Sequence, residues 1–249
     1  MYEGLNNKVI ILTGAGGLIG QQSLKHLVKN GAKVIAVDVK SFDCEAELFL
    51  TYDITKPDEI DELLKTVLAK FGRIDGLVNL AYPRTADWGT KFEDIPYDSW
   101  RENVDMQMNA VFYICQQTIE IMKKQNSGSV VNIASIYGVV GNDFTLYEEY
   151  GGTSPAAYAA IKGGVINFSK YLASYYGKYN IRVNCVSPGG VLDEKSQNTS
   201  FIKRYSEKSP LKRLGNAEEM APAISFLLSD DASFITGHNL MVDGGWTSI

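Results

Sequence analysis

Apolar and polar positions along the chain alternate between two textures. Short β-branched runs recur: VIILT (Val9–Thr13), KVIAVD (Lys33–Asp38), ELFLTYD (Glu47–Asp53), GLVNLA (Gly76–Ala81), SVVNIAS (Ser129–Ser135), IRVNCVS (Ile181–Ser187) and NLMVDG (Asn239–Gly244). Several are almost continuously apolar, as strands covered on both faces should be. Between them lie stripes of helical period. Ile60, Leu63, Leu64, Val67 and Leu68 form one, and Val104, Met108, Val111, Phe112, Cys115, Ile119 and Met122 another. Met220, Ala221, Ile224, Leu227 and Leu228 form a third. Ser154-Pro155 marks a helix start, a capping hydroxyl followed by proline at the first helical position. Strands alternating with helices predict right-handed crossovers and an α/β fold, a doubly wound parallel sheet with helices on both faces. Nothing divides the chain, so one domain over residues 1–249 is expected. Two segments, Val140–Gly152 and Asp193–Lys212, fit no regular element and are expected to be loops on the substrate side.

Composition narrows the function classes. The 249 residues are 45% apolar and carry 29 acidic against 24 basic side chains, a formal charge of −5. With no basic excess, nucleic acid is not expected as a partner. Cys44, Cys115 and Cys185 stand far apart, and His26 and His238 are the only histidines, so neither a disulfide framework nor a metal site is expected. The start, MYEGLNNKVIILTG, lacks a basic region followed by a cleavage site, and no apolar run is long enough for a membrane span. A cytoplasmic protein with no membrane partner is the expectation.

Chemistry concentrates at two places. The first strand runs into Thr13-Gly14-Ala15-Gly16-Gly17-Leu18-Ile19-Gly20, and a helical segment follows. Glycines there allow a tight turn and let backbone N–H groups approach a pyrophosphate at a helix N-terminus. Asp38 closes the second strand, 18 positions past Gly20, where an acid would take the ribose hydroxyls of an adenine dinucleotide. Its carboxylate repels a 2′-phosphate, so NAD is preferred over NADP. Asp53-Ile54 and Asn79-Leu80-Ala81 end the third and fourth strands, where adenine and ribose would be held. The second place is Tyr158-Ala-Ala-Ile-Lys162, whose i, i+4 spacing puts both side chains on one helix face. A nearby ammonium, helped by a cationic nicotinamide, favours the phenolate and moves a tyrosine toward working range. Ser135, ending the fifth strand, can polarise a carbonyl oxygen.

Together these residues resemble the short-chain dehydrogenase/reductase family. The likeness extends over Val183-Asn184-Cys185-Val186-Ser187-Pro188-Gly189 and Thr236-Gly237 … Val242-Asp243-Gly244-Gly245, nearly the whole chain. The resemblance implies a Rossmann-type seven-stranded sheet and hydride transfer between a nicotinamide dinucleotide and a hydroxyl or carbonyl carbon. It implies Tyr158 as general acid/base, Lys162 also holding the nicotinamide ribose, and Ser135 orienting the substrate oxygen. Cofactor contacts are implied at Gly14, Gly17, Leu18, Ile19, Gly20, Asp38, Asp53, Ile54, Asn79, Ala81, Tyr158, Lys162, Pro188, Gly189 and Val191. Family members are typically tetramers or dimers joined through long helices, here Trp100–Lys124 and Ala156–Tyr176, so a homotetramer or homodimer is expected.

Four departures stand out. Leu18 occupies the place of the usual central glycine, and Gln107 that of the asparagine completing the family's proton relay. Asp193 replaces a threonine that often binds nicotinamide. Ser135 and Tyr158 are 23 positions apart, the excess being the aromatic and acidic stretch from Asn142 to Gly152. With Tyr82-Pro83-Arg84, that stretch suits a polar, sugar-like small molecule better than a steroid or acyl chain. Arg84, Ser135 and Tyr147 are the expected substrate contacts. The same features are similar to oxidoreductases of flagellin modification and surface-sugar synthesis. The leading expectation is an NAD(H)-dependent oxidoreductase interconverting a secondary alcohol and a ketone. A sugar-nucleotide epimerase or dehydratase and a non-catalytic dinucleotide sensor are the alternatives.

Overall fold

A computed structural model describes residues 2–249. Seven strands form one parallel sheet: β1 (Val9–Thr13), β2 (Lys33–Asp38), β3 (Leu48–Thr51), β4 (Gly76–Asn79), β5 (Gly128–Ile133), β6 (Ile181–Pro188) and β7 (Asn239–Val242). Their order is β3-β2-β1-β4-β5-β6-β7. The chain thus winds outward from β1 to β3, crosses back to β4 beside β1, and winds outward the other way. That reversal leaves a crevice at the carboxyl ends of β1 and β4. The pairings Thr13 with Asn79 and Asn79 with Asn132 set those ends level.

Side-chain alternation sorts the two layers. In β1, Val9 and Ile11 face one helical layer while Ile10 and Leu12 face the other, and all are buried. The first layer comprises α2 (Pro57–Phe71), α4 (Ala110–Gln125) and α5 (Ala156–Tyr176). The second comprises α1 (Leu18–Lys29) and α7 (Ala221–Leu228). The stripe at Ile60, Leu63, Leu64 and Val67 is the buried face of α2, which Pro57 opens and left-handed Gly72 (φ 72°) closes.

Three expectations need correction. The helix expected over Trp100–Lys124 begins earlier, as α3 (Tyr97–Val104), and a π turn at Asp105–Asn109 separates it from α4. The wider turn rotates the following residues against the first, burying Gln107 while Val104 and Met108 pack towards α5. Ser154 does not cap α5. Pro155 takes the cap position, and the Ser154 hydroxyl accepts from Asn142 Nδ2 instead. The two supposed loops are partly helical. Phe144–Tyr150 forms a 3₁₀ turn capped by Asp143, and α6 (Thr199–Lys208) starts at Asn198, whose side chain accepts from Ser200 N at 2.9 Å. The two pack together: Leu146, Tyr205 and Leu214 are fully buried between them, with Tyr147, Phe201 and Trp246 around the edge. Arg204 pairs with Glu148 (3.1 Å) and Glu149 (2.9 Å), and Lys208 with Asp143. Exposed ion pairs contribute little, so the apolar contact holds the insertion down.

Below the sheet, Asp75 aligns three strands. Its carboxylate accepts from Val9 N (2.9 Å) and Arg73 Nε (3.0 Å), and its carbonyl from Ser129 N (3.0 Å). Asp75→Ala leaves the buried Val9 amide without a partner. It should therefore lower the unfolding free energy by about 1–3 kcal/mol in chemical denaturation. A loss below about 0.5 kcal/mol would show that solvent satisfies the amide.

Candidate active site

The glycine turn forms the floor of the crevice. Gly14 has φ +67°, and a Cβ there would lie 2.6 Å from Ala81 Cα, so only glycine lets the turn press against the end of β4. A Cβ on Gly20 would come within 2.1 Å of the Gly14 carbonyl oxygen, which explains the glycine one turn into α1. Gly17 caps α1 with no side-chain acceptor, leaving first-turn amides available to an anion. Leu18 is half-exposed at the start of the helix, so its side chain costs the turn nothing. Asp38 Oδ2 accepts from Gly16 N at 2.9 Å, which fixes the carboxylate at the mouth of the turn.

At the other end, α5 carries the predicted proton-transfer pair. Lys162 is half-buried in the cleft wall, its Nζ donating to the Ile133 carbonyl at 2.8 Å, and desolvation lowers its pKa to about 8. One turn earlier, Tyr158 is half-buried as well. Desolvation raises its pKa above the ordinary 10, and the Ser135 hydroxyl offsets only part of that. Among the protein's own groups, burial works against the charged form of both Tyr158 and Lys162. Lys162 Nζ stands 5.6 Å from the ring centroid of Tyr158.

Tyr82 is the residue that sequence reasoning underused. Its ring meets Tyr158 edge-on at 5.5 Å and Trp88 at 5.7 Å, and burial raises its phenol pKa strongly. The Arg84 guanidinium lies over the Tyr82 ring at 5.1 Å. In the sequence Tyr82 stands out only as part of the Tyr82-Pro83-Arg84 segment beside the polar insertion. Its packing against a residue 76 positions away has no local signal.

These groups line one cleft of about 850 Å³. Of the expected positions, Gly14, Gly17, Leu18, Ile19, Asp38, Asp53, Ile54, Ala81, Arg84, Tyr158, Lys162, Pro188, Gly189 and Val191 form its walls. Asp193 lines it too, with its carboxylate turned back onto Ser196 Oγ (2.6 Å). Gly20, Ser135 and Asn79 stand behind the walls, Ser135 against Tyr158. Tyr147 is also set back, because its ring is drawn onto Phe201 (5.5 Å) in the small core beneath the insertion. Gln107 faces a separate cavity of about 10 Å³ shared with Asn79, Asn132 and Lys162, and both its amide atoms are buried without partners. Asn79 Nδ2 donates to Asn132 Oδ1 (2.8 Å), and Asn132 Nδ2 to Ser169 Oγ (2.8 Å). Among the described residues no helix is long and apolar enough to cross a membrane, and no cluster of side chains is suited to a metal ion.

The cleft fits a dinucleotide: a glycine cradle that a Cβ would fill, helix amides for an anion, and a strand-end carboxylate for hydroxyl groups. Comparison with known proteins agrees. A dehydrogenase family model described as enoyl-(acyl carrier protein) reductase matches residues 14–247. The chain is 32% identical to post-translational flagellin modification protein A of Campylobacter coli, covering 97% of this chain and 99% of that one. It is 34% identical to 7alpha-hydroxysteroid dehydrogenase of Bacteroides fragilis, covering 97% and 95%. The solved structure of a short chain dehydrogenase from Leptospira borgpetersenii with bound NAD+ superposes with a TM-score of 0.89 at 35% identity, covering 97% and 93%. With its sheet order, glycine turn and strand-end cleft, the chain belongs to the short-chain dehydrogenase/reductase family and is an oxidoreductase of the alcohol and carbonyl type.

Proposed function

We propose that this protein is an NAD(H)-dependent oxidoreductase interconverting a secondary alcohol and a ketone on a polar, sugar-like substrate, within one domain spanning residues 1–249. The observation that carries the reading is the meeting of Ser135, Tyr158 and Lys162 at one end of a glycine-floored cleft. Gly14, Gly17, Ile19 and Asp38 would hold the adenosine and pyrophosphate half, and Lys162, Pro188 and Val191 the nicotinamide half. A nicotinamide dinucleotide supplies the hydride donor or acceptor when bound. The preference for NAD follows from Asp38. Its carboxylate is fixed beside Gly16 and would repel a 2′-phosphate, and the neighbour from Leptospira borgpetersenii holds NAD+.

Proton handling falls to the chain itself. In the oxidative direction Tyr158, as phenolate, takes the proton of the substrate hydroxyl, while Ser135 donates a hydrogen bond to the substrate oxygen. In reduction Tyr158 returns that proton to the developing alkoxide. Because burial holds the free phenol above 10, the phenolate depends on cationic charge gathered next to it, Lys162 first. Gln107 is proposed to complete the path. The cavity it shares with Lys162 has room for about one water, and its unpartnered amide can both donate to and accept from that water.

Tyr158→Phe should bind NADH as the wild type does and lose turnover by about 10²–10⁴-fold across a polyol and keto-sugar panel. Gln107→Leu in the same assay should keep NADH affinity and shift the pH profile of the rate. Unchanged turnover in Tyr158→Phe would remove that residue from the reaction. A second expectation concerns stability. A lysine whose folded pKa is about 8 against an ordinary 10.5 weighs on folding wherever it is protonated in both states, so stability is gained as pH rises from 8 toward 10.5. Lys162→Met should therefore be at least as stable as the wild type at neutral pH, with a margin that shrinks over that interval. Thermal unfolding at several pH values checks this, and a margin independent of pH contradicts it.

A further inference from the structure

We infer that the substrate carries an anionic group, a carboxylate or a phosphate, and that Arg84 holds it. This rests on the alcohol/ketone reading of the cleft and adds to it the charge of the ligand. The argument starts from an inventory of charges at the substrate end. The insertion brings Asp143, Glu148 and Glu149, which would make the region acidic if they faced the cleft. They do not. Lys208 takes Asp143, and Arg204 takes Glu148 and Glu149 while also donating to the Thr145 carbonyl (2.7 Å). Asp193 is engaged by Ser196 Oγ (2.6 Å) and Lys195 N (3.2 Å), and Asp87 accepts from Ser99 Oγ (2.7 Å). Arg84 is a wall of the cleft, yet among the described residues it has no salt-bridge partner.

The backbone that carries this exposed side chain is held in place. Pro83 restricts the backbone before it. Immediately after it, Thr85 N donates to Asn103 Oδ1 (3.1 Å), and Asn103 Nδ2 donates to Thr85 Oγ1 (2.7 Å) and to the Ser99 carbonyl (2.8 Å). Asn103 is itself buried, so the segment is riveted to α3. Over the Tyr82 ring at 5.1 Å, the guanidinium is a planar donor fork of the kind that takes a carboxylate or phosphate with two bonds. Tyr82 in turn meets Tyr158 at 5.5 Å, so a single aromatic ring stands between the guanidinium and the proton-transfer residue. A neutral sugar would leave a donor-only cation facing it without an acceptor charge. An anionic sugar neutralises it, and anchoring the anion there limits which hydroxyl carbon reaches Tyr158.

The test measures binding, which is independent of turnover. Hexuronic acids, aldonic acids, hexose 6-phosphates and their uncharged parents are titrated calorimetrically into the NADH-loaded protein. The anionic members should bind about 10- to 100-fold tighter than their parents. That margin should vanish in Arg84→Gln, survive in part in Arg84→Lys, and shrink with added salt, while NADH affinity stays within about twofold. Equal binding of charged and uncharged members, or binding of neither, overturns the inference. So does a loss of NADH affinity in Arg84→Gln, which would put the guanidinium on the cofactor's pyrophosphate. Failure of the oxidoreductase reading has a different appearance: the binding preference persists, but no member of the panel oxidises or reduces the nucleotide.

Discussion

The hydrogen bond from Lys162 Nζ to the Ile133 carbonyl joins the two elements on which the chemistry stands. Ile133 is the last residue of β5, so the bond ties α5 to the end of that strand. Tyr158, one helical turn before Lys162, is thereby brought over Ser135, two residues beyond the strand. Drawing this ammonium partly out of water costs folding free energy, and the same desolvation lowers the pKa of the lysine. The strain is local to the site. The strands beneath are covered on both faces, and their ends are held level by ladder pairings from β1 through β6. A parallel sheet collects every strand's carboxyl end along one edge, which is why residues as distant in sequence as Gly14, Arg84, Tyr158 and Val191 share one cleft.

The substrate side is built on a different principle. Around Leu146, Tyr205 and Leu214 the insertion and α6 make a small core of their own, outside the main layers. Tyr205 extends it inward: its ring stacks on Trp246 at 4.3 Å, and its hydroxyl accepts from Gly190 N at 2.6 Å, next to the cleft wall at Gly189. Acidic side chains that look like substrate ligands in the sequence are consumed in attaching this unit. What reaches the cleft next to Tyr158 is Tyr82 and Arg84, while Asp193 lines the wall with its carboxylate turned onto Ser196, so the character of the pocket differs from the composition of the loops around it.

Much of this was legible before any coordinates. Strand positions followed from β-branched runs bounded by turn residues, since burial on both faces leaves an unmistakable apolar texture. The glycine turn, Asp38 and the Tyr158–Lys162 pair were legible because their constraints are local: a positive φ, a strand end, one helical turn. What escaped was set by tertiary contact. A π turn shifts the apolar stripe by a residue, and the stripe through Val104, Met108 and Val111 reads equally well without it. Helix α6 carries few apolar residues because only Phe201, Ile202 and Tyr205 pack on the insertion, so its periodicity was too sparse to see. Ser154 had the chemistry of a cap, but Asn142 claims its hydroxyl from twelve positions away. The ammonium's pull on Tyr158 was argued from spacing, whereas the balance depends on burial, which spacing does not contain.

The central claim is that this cleft couples proton transfer at Tyr158 to a net redox change in its substrate. It is tested most directly by following NADH oxidation and product formation together, with NADH deuterated at the transferable position, over a keto-sugar panel that includes sugar acids. The account predicts one NADH consumed per alcohol formed and one deuterium on the new carbinol carbon. Isomerised product with no net change in NADH would contradict it, and would make the site an epimerase.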